Sequence, residues 1–129
     1  MNVLVWINES TWPSCVAAAR ELAPAGASLT LLHVVDDAVP AAARGAFAGR
    51  DVRVEQRSGR VEREVVAAAE GMNLLVVARD GDLRRLGPHP LAPATRFVVD
   101  HAPCATLLVW PAAAPGVESI PPPPLHPPH

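Results

Sequence analysis

The densest run of chemically able side chains lies between Arg79 and Leu91, where Asp80, Asp82, Arg84, Arg85 and His89 share one polar stretch. Two adjacent guanidiniums, Arg84 and Arg85, offer the charge and fork geometry that phosphate groups accept, and equally suit a solvated loop. Asp80 and Asp82 present two carboxylates, fewer than the six or more oxygens a hard cation wants, so solvation is their expected role. Pro88-His89-Pro90 reads as a rigid loop constraint. His33 sits inside an apolar run and is expected to be a core histidine, while His101 closes a helical pattern, where a cation suits the helix dipole. Cys104 begins an apolar run and is expected to pack inertly rather than to sense oxidants. His126 and His129 have no third metal ligand at hand.

Several chemistries are excluded outright. All eleven basic residues are arginine, so a Schiff-base lysine and a P-loop lysine are both absent. There is no G-x-S-x-G elbow, no Walker Gly-rich loop, and no pair that makes an acid and a base. The expectation is therefore a protein without catalytic residues. A net charge of −2 supplies no basic field for nucleic acid or membrane surfaces. Two widely separated cysteines, no leader-like n-region and no apolar run of about 18 residues point to a soluble, cytoplasmic protein.

The elements that must position these residues are short apolar strands alternating with helical patterns. Half the residues are apolar, with only two Phe, three Trp and no Tyr, so Val, Leu and Ala must fill the core. Strands are predicted at 1–7, 29–35, 51–56, 74–78 and 105–110. A helix capped by Ser10 or Thr11 should present Cys15, Ala19 and Leu22 on one face and stop at Pro24 and Gly26. A short helix is expected at 38–47. Gly59 should open a helix with Val61, Val65 and Ala68 inward and Gly71 at its end. Pro93 suits the first turn of a last helix with Ala94, Phe97, Val98 and His101 on one face.

Alternating strands and crossover helices imply parallel pairing. Four runs are continuously apolar, as strands buried on both faces are. The third alternates and belongs at an edge. These facts are satisfied by a single open five-stranded parallel α/β sheet of order 3-2-1-4-5 with helices on both faces. Its winding reverses between the first and fourth strands, so a ligand site is expected beyond their carboxyl ends, near Asn8, Ser10, Arg79 and Gly81. One domain is expected over 1–110. Residues 111–129 hold eight of the fifteen prolines and should form an extended or disordered Pro-rich tail.

Taken together, Val3-Leu4-Val5 with Ser10, Leu29-Thr30-Leu31-Leu32-His33-Val34, Gly59, Asn73-Leu74-Leu75-Val76-Val77, Leu83-Arg84-Arg85-Leu86 and His101-Ala102-Pro103-Cys104-Ala105-Thr106-Leu107-Leu108-Val109 resemble the universal stress protein family. The resemblance spans residues 1 to about 110, with a shorter link between strands two and three than the family has. It implies a Rossmann-like, adenine nucleotide α-hydrolase-like fold and a homodimer through the last strand, Ala105 to Trp110. Nucleotide-binding members carry an Asp after strand one and a G-x-x-G-x9-G-[ST] loop after strand four. Here the Asp position is Asn8, followed by Glu9. The loop glycines align with Ala78 and Gly81, and the closing Gly-Ser pair falls near Ala92-Pro93. Pro93 has no N–H for a phosphate and Ala92 no hydroxyl; Thr95 supplies a hydroxyl only if the loop is rearranged.

Two functional readings follow. In the first, the chain is a dimeric stress-response or regulatory domain acting through protein contacts, with a degenerate nucleotide cleft. In the alternative, it binds ATP or AMP, with Mg, using Asn8, Ser10, Val34, Ala78, Arg79, Gly81, Arg84, Arg85, Ala92 and Thr95, with little or no hydrolysis.

Overall fold

The computed structural model describes residues 1–7, 11–34, 45–47, 49–79, 91–111, 118 and 122–123. Five strands and three helices follow in the order β1 (Asn2–Trp6), α1 (Trp12–Leu22), β2 (Ser28–Val34), β3 (Val52–Arg57), α2 (Val61–Ala68), β4 (Leu74–Ala78), α3 (Pro93–His101) and β5 (Ala105–Val109). The sheet is entirely parallel in its pairings and ordered β3-β2-β1-β4-β5, as the hydrophobic patterns require. The central pair is in register from Val3 opposite Leu74 to Val5 opposite Val76. The region of the short helix expected at 38–47 lies outside the described residues except at its end, where Phe47 is buried.

Strand alternation sorts the core into two layers. Val3, Val5, Ile7, Leu29, Leu31, Val76 and Ala78 face α1 and meet Cys15, Val16 and Ala19. Leu4, Trp6, Leu32, Val34, Leu75 and Val77 face α2 and α3 and meet Val65, Ala68 and Val98. Burial of the central strands on both faces explains their unbroken apolar runs.

Some faces differ from the sequence expectation. Leu22 is 61% exposed, and the inward row of α1 runs through Cys15, Val16, Ala19 and Ala23 instead. Spacings of one, three and four residues keep this row within an arc of about 100°, and Leu22 falls just outside that arc, on its margin. On α3 the fully buried side chains are Thr95 and Val98, whereas Phe97 is half-buried and His101 exposed. Their rings stack with centroids 4.1 Å apart, and His101 Nδ1–H donates to Phe97 O at 2.8 Å, tying down a carbonyl of the last turn. Cys104 is half-buried rather than buried. His33 is a core residue, 4% exposed, on β2.

Gly59 illustrates how the sequence steers the chain into α2. Its φ of +132° is closed to ordinary side chains, and an added Cβ would lie 3.3 Å from Glu64 Cγ. Glu62 and Glu64 then occupy the first turn of α2, where negative charge suits the helix dipole.

Candidate functional site

The carboxyl ends of β1 and β4 lie side by side in the sheet, so the winding reverses where the sequence places it. In open parallel sheets this is the position at which ligands enter. Of the residues expected there, Val34 and Ala78 are buried at the ends of β2 and β4, and Arg79 follows Ala78 directly. Ala92 is the N-cap of α3 and makes no side-chain capping bond. Pro93 takes the first helical position. Thr95 is 3% exposed and turned into the protein in the first turn of α3. Asn8, Ser10, Gly81, Arg84 and Arg85 lie outside the described residues.

The start of α3 thus lacks a side-chain cap. A helix N-terminus binds anions through free N–H groups, often helped by a Ser or Thr hydroxyl. Ala92 has no hydroxyl and Pro93 no N–H. Neither makes the capping contact expected of a Gly-Ser pair.

A feature missed in the sequence stands where β4 and β5 end. Arg79 N donates to Val109 O at 2.7 Å, carrying the β4–β5 ladder one residue past the strand ends. Arg79 and Trp110 are then cross-strand neighbours, and the guanidinium lies 4.3 Å from the indole centroid. Ser14 Oγ, in the first turn of α1, donates to Pro111 O at 2.7 Å and fixes the chain just beyond Trp110. Trp110 therefore follows β5 rather than forming part of it. The signal was present in the sequence: both residues stand one position beyond the ends of apolar runs that pair in register.

Away from this end, a cleft of about 240 Å³ opens at the amino ends of the strands, lined by Asn2, Ser28, Thr30, Asp51, Arg53 and Met72. Hydrogen bonds from Asn2 N to Asn73 Oδ1 and from Ser28 Oγ to Asp51 Oδ2 tie its walls, at 2.8 and 2.7 Å. Ligands in such sheets use the opposite end. Among the described residues no three His, Cys, Asp or Glu side chains gather as a metal site, and no helix is long and apolar enough to cross a membrane.

With this geometry, solved structures that share the architecture include universal stress proteins. The chain has the universal stress protein fold. Universal stress protein UspA from Lactobacillus plantarum matches at a TM-score of 0.58 and 20% identity, over 84% of this chain and 97% of that one. A universal stress protein in complex with cAMP matches at 0.66 and 21%, over 87% and 98%. A universal stress protein family member from Burkholderia pseudomallei matches at 0.52 and 20%, over 86% and 96%. No protein-family model and no curated protein matches the chain. At these identities the likeness concerns the fold, and within the universal stress protein fold this chain keeps the β1–β4 pairing while α3 begins with Ala92-Pro93.

Proposed function

We propose that the chain is a cytoplasmic universal stress protein-type regulatory domain. It works as a homodimer joined through β5 and acts by protein contact, and its nucleotide cleft is degenerate and non-catalytic. The observation that carries this reading is the start of α3, where Ala92 and Pro93 stand in place of the donors that would hold phosphates. The half-buried edge strand β5 supports the dimer. Calorimetric titration of the purified chain with Mg-ATP tests the cleft. The reading expects no submillimolar site, and a tight stoichiometric site refutes it.

A second reading, adenine-nucleotide binding without hydrolysis, draws support from the structural neighbour in complex with cAMP. Under that reading Mg-ATP binds tightly and Gly81→Val weakens it, because a valine side chain blocks close approach of backbone to phosphate. Unchanged affinity in Gly81→Val counts against it.

A further inference from the structure

We infer that the cleft at the amino ends of β1, β2 and β3 is a binding site for a free α-amino acid, with Arg53 and Thr30 taking its carboxylate and Asp51 its ammonium group. Sheets of this class bind their principal ligand beyond the carboxyl ends. The amino-end cleft is a second site, and it is independent of the nucleotide reading.

Strand register carries the placement. Asn2 lies opposite Ser28, and Thr30 opposite Arg53. Leu29 pairs with Val52, which sets Asp51 beside Ser28. Paired residues of parallel strands share a face, and successive ones alternate. Asn2, Ser28, Thr30, Asp51 and Arg53 therefore stand on the face of Leu4 and Leu32, the face that α2 covers. Met72 packs against the same layer and gives the cleft an apolar wall. The backbone beneath is fixed, with Leu29 N donating to Asp51 O at 2.8 Å and Ser28 N to Met1 O at 2.9 Å. Ser28 Oγ donates to Asp51 Oδ2 at 2.7 Å, which orients the carboxylate and leaves Oδ1 open among the described residues.

The polar groups of the cleft call for a partner. Thr30 is only 8% exposed, yet it lines the cleft with a hydroxyl that has no hydrogen-bond partner among the described residues. A buried hydroxyl in that state is costly, and a ligand oxygen would satisfy it. Beside it the exposed Arg53 guanidinium enters no ion pair and no hydrogen bond among the described residues. Neighbouring strands are about 4.8 Å apart, so the hydroxyl and the planar two-donor fork can grip one carboxylate. Asp51 is two strand residues from Arg53, about 6.6 Å along β3. A lone anion in the cleft meets Asp51 and a lone cation meets Arg53, whereas a zwitterion satisfies both. The volume, about 240 Å³, is below the roughly 300–1,000 Å³ of sites for drug-sized ligands. It suits a molecule of amino-acid size, with an apolar side chain against Met72.

The probe is L-leucine, with acetate and ethylamine carrying its two charges singly. Titrated into the isotope-labelled full-length chain and followed by NMR, L-leucine should move the backbone amide signals of Thr30, Asp51 and Arg53 but not those of Ala78 and Arg79. A dissociation constant of about 1 mM is expected of so small a ligand. Acetate and ethylamine should each bind at least about tenfold more weakly. Arg53→Gln should weaken L-leucine about tenfold, and Asp51→Asn, which can still accept from Ser28, about fivefold. Thr30→Val, of nearly the same shape, should weaken it about threefold. Arg53 is exposed on an edge strand, so Arg53→Gln serves if Thr30→Val fails to fold. Absence of shifts at tens of millimolar L-leucine, shifts centred on the carboxyl ends, wild-type affinity in Arg53→Gln, or acetate binding as tightly as L-leucine each overturns the proposal. None of these outcomes bears on the Mg-ATP titration, which is read separately.

Discussion

The two edges of the sheet differ in what they offer to another chain. Among the described residues β3 pairs only with β2 and β5 only with β4, so each has one row of backbone donors and acceptors turned away from the sheet. On β3, Arg53, Glu55 and Arg57 alternate with Val52, Val54 and Gln56, and Arg57 Nε pairs with Glu55 Oε1 at 2.9 Å. Charge on an edge discourages strand addition. β5 is Ala-Thr-Leu-Leu-Val, with Leu107 and Val109 packed on one core layer and Leu108 on the other, all half-exposed. The lesson is that one edge carries alternating charge and the other is apolar and half-exposed.

The largest expected effect breaks this contrast at its backbone. Because Val109 O accepts from Arg79 N, Ala105, Leu107 and Val109 turn their polar groups toward β4, and Thr106 and Leu108 turn theirs outward. Thr106→Pro removes an outward donor and should convert a dimer to monomers in sedimentation velocity. It should leave the circular dichroism spectrum of the monomer near wild type. A second copy bound through β3 would instead survive this change.

Burial gives the next comparison. Leu107→Ala should cost about 1–2 kcal/mol in urea unfolding, because Leu107 packs against the α1 layer. Val54, 36% exposed on β3, should cost less than about 0.5 kcal/mol when changed to Ala. Similar costs at the two sites would remove the asymmetry.

The thiols separate the β5 margin from the centre of the fold. Burial pushes the Cys15 thiol from 9.0 up to about 12, and raises the Cys104 thiol too. A raised native pKa means the native state keeps a proton that the unfolded chain has released. The Cys15 contribution is therefore intact below pH 9 and declines as pH rises from 9 toward 12, by about 1.4 kcal/mol per unit. Cys15→Ala should flatten that alkaline slope in denaturant melts at pH 8–10, and an unchanged slope contradicts it. The smallest effect belongs to the charged edge: Glu55→Gln breaks a half-exposed ion pair and should change unfolding by no more than about 0.5 kcal/mol.

Strand order was legible in the sequence because burial on both faces leaves unbroken apolar runs at β1, β2 and β4, while Arg53, Glu55 and Arg57 betray an edge. Helix faces were less legible. Val16 and Ala23 are buried and Leu22 is not because Leu22 falls at the margin of the arc that faces the sheet. The residues that open α3, Ala92 and Pro93, were legible in the sequence. The Arg79–Trp110 pair was not, since it depends on where β4 and β5 stop relative to each other, and register is a tertiary property.

Native mass spectrometry of the purified full-length chain reads assembly and bound small molecules together. A two-chain mass without stoichiometric adenine nucleotide is the expected result. A single-chain mass, or ATP or AMP retained at one per chain in either form, would contradict a regulatory dimer with a degenerate cleft.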